Sequence, residues 1–248
     1  MKIALLSLLL VSGLCQAQAD VQLSYQGKPL PEIKLDDDAR LATLLNDSRL
    51  PSDIYWRSAQ ITTPAHQVAI KQQRRALLSE LGALETLWRQ QGEEAWAEST
   101  RHLIRQLSAL RLTGRLPIVL DPRQAQRSQA DNPRLVGDYQ LFIAPRRAQV
   151  MMLGLIHALP TLPLIPAQGV SEYWRRDALL PAADSAHVWL IQPTGDISQV
   201  PVAVWNKRLR EPMAGASILI GFDPNTLPSR FQGINQRIAE IISNRVPE

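Results

Sequence analysis

The sequence predicts an α+β protein built from two sheet-forming units. A helical hairpin is inserted in the first unit, and an amphipathic helix closes the chain. Three observations carry this. The chain has 18 prolines, yet none between Ala65 and Leu116; proline breaks helix interiors, so that gap marks a helical insert. On either side of it, short runs of alternating apolar residues read as strands. Near the end, Phe231, Ile234, Ile238, Ile241, Ile242 and Val246 form one apolar stripe opposite Gln232, Asn235, Arg237 and Asn244.

In chain order, the first element is an export leader. Lys2 precedes an apolar run from Ile3 to Leu14, and Ala17-Gln18-Ala19 supplies a small-x-small cleavage site before Asp20. The expected leader is 1–19. Its apolar run is shorter than the roughly 20 residues a membrane span needs. The chain's single cysteine, Cys15, lies inside the leader and follows Leu14, a poor setting for lipid attachment. Cleavage after Ala19 leaves no thiol, which rules out disulfides, thiolate metal sites and cysteine nucleophiles. The expected location is the periplasm.

Val21, Leu23 and Tyr25, then Ile33 and Leu35, alternate around Gly27-Lys28 as a β-hairpin. A short helix follows, with Leu41, Leu44 and Leu45 on one face behind the acidic run Asp36-Asp37-Asp38. In the insert, Leu77, Leu81, Leu84 and Trp88 keep a 4-3-4 spacing, and Leu103, Leu107 and Leu110 continue the pattern after Trp96. This predicts helices over 65–90 and 94–111 turning at Gln90-Gln91-Gly92. The stretch 65–116 holds eight Lys/Arg against five Glu, read either as a solvated helix face or as contact with an acidic partner. Strands are then predicted at Leu116–Asp121 and Asp138–Ile143.

A similar order follows. Val150–Ile156 and Leu162–Ile165 read as paired strands, Val170–Arg176 as a short helix, and His187–Gln192, Val200–Trp205 and Ser217–Phe222 as further strands, with Pro193-Thr194-Gly195-Asp196 a turn. The match of Leu30-Pro31-Glu32-Ile33 with Leu162-Pro163-Leu164-Ile165 hints at an internal repeat. The expected divisions are a first domain over 20–145 with its insert at about 65–111, a second over 146–224, and the C-terminal helix in 225–248. That helix is expected to dock on the protein's own core, with membrane or partner docking as the alternative.

The formal charge of +4 is too mild to point to nucleic acid. His66, His102, His157 and His187 show no metal-ligand spacing, and neither a nucleophile elbow nor a phosphate-cradling glycine loop is present. No cofactor or metal is expected, and a monomer is. Asp121, Asp138, Asp177 and Asp184 are the carboxylates from which a glycosidase pair would be drawn; roles as strand-end turn residues explain them more cheaply.

Several further stretches stand out in order along the chain. They are Leu112-Thr113-Gly114-Arg115-Leu116-Pro117 with Leu120-Asp121-Pro122, and Asn132-Pro133 with Leu135-Val136-Gly137-Asp138-Tyr139. Pro201-Val202-Ala203-Val204-Trp205-Asn206-Lys207-Arg208 with Glu211-Pro212 and the ending Arg245-Val246-Pro247 complete the set. Together these stretches resemble the capsule-biosynthesis GfcC family. The resemblance implies two β-grasp domains like those of the outer-membrane polysaccharide exporter Wza. The family's tryptophan-rich segment before the hairpin is here Ile54-Tyr55-Trp56-Arg57, with one aromatic changed.

By this resemblance the chain is expected to be a non-enzymatic periplasmic accessory of capsule or exopolysaccharide assembly and export, binding glycan or the export machinery. The alternative is a polysaccharide-processing enzyme with clustered carboxylates. The candidate ligand-binding residues are Arg115, Asp121, Asp138, Tyr139, Trp205, Asn206 and Arg208. Arg115 is read either as a ligand-binding guanidinium or as a structural bridge paired with Asp121 or Asp138.

Overall fold

The computed structural model describes residues 18–158, 160–203 and 209–247. The expected leader therefore lies outside the described residues except for its last two positions. No described helix is long and apolar enough to cross a membrane.

The first sheet has strand order β2-β1-β4-β3. Strand β1 (Ala19–Tyr25) turns through Gln26 and Gly27, both at positive φ, into antiparallel β2 (Lys28–Leu35). Alternation buries Val21, Leu23, Ile33 and Leu35 on one face. There they meet Leu41, Leu44 and Leu45 of α1 (Leu41–Leu45). The start of α1 is not served by the aspartate run. The side-chain oxygen of Asn132, ninety residues away in sequence, accepts the Ala42 N–H at 2.8 Å, which satisfies one of the orphan donors of the first turn. Strand β3 (Gln60–Thr62) and β4 (Gly137–Ile143) complete the sheet, with β4 parallel to β1 and antiparallel to β3.

Between β3 and β4 come α2 (Pro64–Gln90) and α3 (Glu94–Ala109), close to the predicted bounds. Pro64 takes the first helical position, where a missing N–H costs nothing, and Thr63 caps it. Gly92, at φ 82°, makes the reversal. Leu77, Leu81, Leu84, Trp88, Leu103 and Leu107 are all buried. Their partner is the second sheet. Although the hairpin is inserted in the chain of the first sheet, its apolar face joins the core built by the second sheet and the C-terminal helix. Trp88 sits 5.6 Å edge-on to Trp96 and 5.5 Å from Phe222, spacings at which aromatic pairs attract.

The predicted strand at 116–121 does not form. Leu116 donates to Ile61 and Ile118 donates back to Leu116, two residues away, so the segment is extended without a ladder. Pro117 lacks the N–H a ladder requires. Asp121 instead starts a helix that the sequence reading did not include, α4 (Pro122–Arg127).

The second sheet has order β6-β5-β9-β7-β8. Its strands are β5 (Gln149–Gly154), β6 (Thr161–Pro163), β7 (His187–Ile191), β8 (Ile197–Pro201) and β9 (Ser217–Ile220), with α5 (Val170–Tyr173) after β6. Strand β8 begins earlier than the predicted Val200–Trp205 and ends at Pro201, beyond which Val202 still donates to the Ala186 carbonyl at 2.9 Å; Val204 and Trp205 of that prediction lie outside the described residues. In both sheets the first strand pairs antiparallel with the second and parallel with the last. Leu30 and Leu162, the matched repeat positions, lie on the equivalent strands β2 and β6. Helix α6 (Ile234–Ser243) buries Ile234, Ile238, Ile241 and Ile242 in the second core, the self-docking expected of its stripe. After it, Val246 donates to the Arg111 carbonyl, and Thr113 donates to that of Asn244. This ties the C-terminus to the return from the hairpin.

Candidate functional site

A cleft of about 340 Å³ opens beside the junction of the two units. One wall is the irregular segment holding Trp56 and Arg57, held in place by a Tyr55 N–H donated to the Ala144 carbonyl and an Ala59 N–H donated to that of Trp56. The floor is the extended run Leu116 to Leu120, followed by Asp121 and Gln124 of the α4 start. Thr194, from the turn between β7 and β8, closes it from the second unit. Trp56 is half-buried, packed against the first core while still lining the cleft. Arg57 is exposed and touches the Met213 sulfur at 3.8 Å. The cleft therefore offers an indole, an exposed guanidinium and planar or hydroxyl groups above an apolar floor. Sites for small polar ligands combine groups of these kinds.

Arg115 borders the cleft but is committed inward. Its Nη1 donates to the carbonyls of Pro193 at 3.1 Å and Ser243 at 3.2 Å, and its N–H donates to Asn244 Oδ1 at 2.9 Å. It lies so close to Gly195 that a Cβ there would sit 2.8 Å from Nη1. Burial pulls the guanidinium below its usual pKa, while nearby Asp196 opposes the shift. Arg115 thus clasps the β7–β8 turn and the end of α6. It pairs with neither Asp121 nor Asp138, the partners expected of a structural arginine. Its neighbours in the Thr-Gly-Arg motif serve the same junction. Thr113 is buried against Gln60 and Asn244, and a Cβ on Gly114 would meet the His66 carbonyl at 2.4 Å.

Of the other candidates, Asp121 lines the cleft and accepts the N–H groups of Arg123 at 2.8 Å and Gln124 at 3.3 Å. Asp138 is exposed on β4, in register with Asp20. Tyr139 packs on the first core, its hydroxyl accepting from Val136 N–H at 3.4 Å. Neither lines the cleft. Trp205, Asn206 and Arg208 fall outside the described residues. The remaining carboxylates are dispersed. Asp177 is exposed and held below its usual pKa by its hydrogen bond from Arg175, whereas Asp184 is buried and accepts the N–H groups of Ala186 and His187. The sequence reading did not single out Trp56, Arg57, Gln124 or Thr194 as site residues. The available signal was the aromatic pair Tyr55-Trp56 beside Arg57 in a segment of no regular period.

Residues 17–146 match the family described as capsule biosynthesis GfcC, N-terminal, and residues 159–247 match capsule biosynthesis GfcC C-terminal. The chain belongs to the capsule-biosynthesis GfcC family. It is also similar to the uncharacterized protein YjbG of Escherichia coli (strain K12), with 31% identity over 211 residues that cover 84% of this chain and 83% of that one. In this GfcC-family chain the cleft draws on both matched regions, since Trp56, Arg57, Asp121 and Gln124 lie in the first and Thr194 in the second.

Proposed function

We propose that this protein is a periplasmic accessory of capsule or exopolysaccharide assembly and export, and that it binds glycan in the cleft beneath Trp56. Membership of the GfcC family supports the assembly role, and the leader-like N-terminal run from Lys2 through Leu14 supports the location. The observation that carries the binding role is the convergence of Trp56, Arg57, Asp121 and Gln124 on one cleft. An indole face stacks on the C–H surface of a sugar ring, and planar polar side chains satisfy its hydroxyls. The shared strand order of the two sheets, with first and last strands parallel at the centre, supports reading both as β-grasp units.

Binding is favoured over hydrolysis. A glycosidase of the usual kind needs two carboxyl groups about 5–10 Å apart across its groove, and Asp121 is the one carboxylate among the residues lining this cleft. The test is genetic. A strain lacking the gene is expected to grow normally while losing or mislocalising a surface polysaccharide. The wild-type gene is expected to restore it, and Trp56→Ala to fail while accumulating to normal levels. Normal surface glycan in the deletion strain, with the operon expressed, would overturn the assembly role.

A further inference from the structure

We infer that the open face of the first sheet carries a second, electropositive groove that takes a segment of acidic polysaccharide, independently of the cleft beneath Trp56.

The face of this sheet opposite its core is covered over only one half. On the β3 side, Gln60 and Thr62 are buried beneath the returning chain. Thr113 donates to Gln60, the Gln60 amide donates to the Arg245 carbonyl at 2.8 Å, and the Thr62 hydroxyl donates to the Gly114 carbonyl at 2.7 Å. On the β2-β1-β4 side the face stays open as a groove of about 370 Å³. Strand alternation sends Gln22 and Ser24 to this face, away from Val21 and Leu23, and Gln140 of β4 joins them. Pro29 and Leu30 of β2 form an apolar margin.

The opposite wall is the base of the helical hairpin. Gln67, Lys71 and Arg74 follow one another at i, i+4 and i+7, so they form a single stripe on α2. Gln67 donates to the Gln140 side chain at 2.6 Å, and Arg74 donates to the Leu110 carbonyl at 2.7 Å. Gln67 thus joins α2 to the groove's edge at Gln140, and exposed Lys71 and half-buried Arg74 follow it on the same stripe. Arg111 follows directly and lies over the β1–β2 turn, where a Cβ on Gly27 would sit 2.9 Å from its Nη1.

Charge on the hairpin is segregated. Towards its tip, Arg89, Arg101 and Arg105 pair with Glu85, Glu94 and Glu98. Towards its base, Lys71, Arg74 and Arg111 form no ion pair among the described residues, and Glu32 is the one acidic residue lining the groove. Unpaired positive charge is therefore displayed at the base of the hairpin, and a solvated, self-neutralised helix face describes only the tip.

The floor combines Gln22, Ser24 and Gln140, which match the hydroxyl groups of a sugar chain, with the Phe142 ring, on which a sugar face can stack. Arg111 in the lining presents paired donors suited to carboxylates, and Lys71 and Arg74 on the adjoining helix add to the attraction of an anionic chain over the roughly 10 Å that salt leaves unscreened. A groove open along the sheet suits a polymer segment.

The test measures binding of polygalacturonate to the full-length mature protein at low and high salt, with dextran as the neutral control and phosphatidylglycerol vesicles as the lipid control. Salt-sensitive binding of polygalacturonate and none of dextran is expected. Lys71→Glu and Arg111→Glu are each expected to weaken it about tenfold, the loss of one charge-assisted contact. Lys71 is exposed, so its reversal remains informative if Arg111→Glu melts early. Three results would overturn the inference. They are no binding of polygalacturonate, binding removed by Trp56→Ala but untouched by both reversals, or binding of the vesicles without polygalacturonate.

Discussion

The side chain of Gln106 on α3 forms two hydrogen bonds with the backbone of Gly154, donating to its carbonyl at 2.8 Å and accepting its N–H at 2.9 Å. Gly154 ends β5, so this buried clasp fastens the inserted hairpin to a sheet more than forty residues further along the chain. The hairpin consequently works as a brace between the units. It enters and leaves through the first sheet and spends its apolar face on the second core.

Replacing Gln106 with Ala strands the buried Gly154 N–H at about 1–3 kcal/mol, while the Gly154 carbonyl keeps the Ile156 N–H as a donor at 3.0 Å. A fall in urea-unfolding stability of that order is expected. Gly154→Ala should be worse, because its Cβ would sit 2.0 Å from the Ile220 carbonyl at a φ of 106°. The obstacle is backbone of the paired strand β9, which cannot move without opening the sheet. Stability within about 0.5 kcal/mol of wild type for both variants, the range of an ordinary surface change, would contradict the clasp.

Arg115 holds the junction through carbonyl groups, so its loss should register in stability. Arg115→Ala removes charge-assisted bonds to Pro193 and Ser243 and is expected to cost about 1.5–3 kcal/mol. In a chain of this size that lowers the melting temperature by roughly 3–12 °C. An unchanged melting temperature would show that the guanidinium is held for a ligand instead.

The structure bears on leader processing as well. Ala19 is fully buried in β1, paired across to Leu35 and Gly137, and the Gln18 carbonyl accepts the Gly137 N–H at 3.2 Å. Cleavage after Ala19 would remove both residues, whereas Cys15-Gln16-Ala17 also satisfies the small-x-small rule and would keep them. On the proposed export route, the intact mass is expected to correspond to a start at Gln18. A start at Asp20 would show that β1 forms without its first residue, and one at Cys15 carrying lipid would show anchoring.

The sequence made some of this legible and hid the rest for physical reasons. Alternation from Val21 to Leu35 and the proline-free span from Ala65 to Leu116 fix elements through local periodicity, and both formed close to expectation. An apolar stripe such as Leu77 to Trp88 announces that a partner exists without saying which one, so the docking of the hairpin on the second sheet was not readable. Strand β3 is three residues long and includes Gln60 and Thr62, too short and too polar to register as a period. Leu116 to Asp121 carries a strand-like composition, but Pro117 withholds a donor and Leu116 spends its own on Ile61. Trp56 and Arg57 sit in an irregular segment, where placement depends on the Ala144 and Pro145 backbone.

Arg57 separates a charged from a neutral ligand at the cleft. Because it is exposed and its one hydrogen-bond partner among the described residues is the Met213 sulfur, Arg57→Ala should leave melting unchanged. It is expected to weaken binding of an acidic surface polysaccharide about tenfold, the value of one charge-assisted contact. Equal affinity in the variant would assign recognition to the indole and the neutral polar groups.

Glycan recognition in the cleft is tested by calorimetric titration of the mature protein with surface polysaccharide purified from its own source strain. Saturable binding is expected, and Trp56→Ala is expected to remove the cleft's share of it while the protein stays folded, at a lower melting temperature because the indole packs on the first core. Absence of binding by the wild-type protein, or binding that survives Trp56→Ala undiminished, would contradict glycan recognition in this cleft.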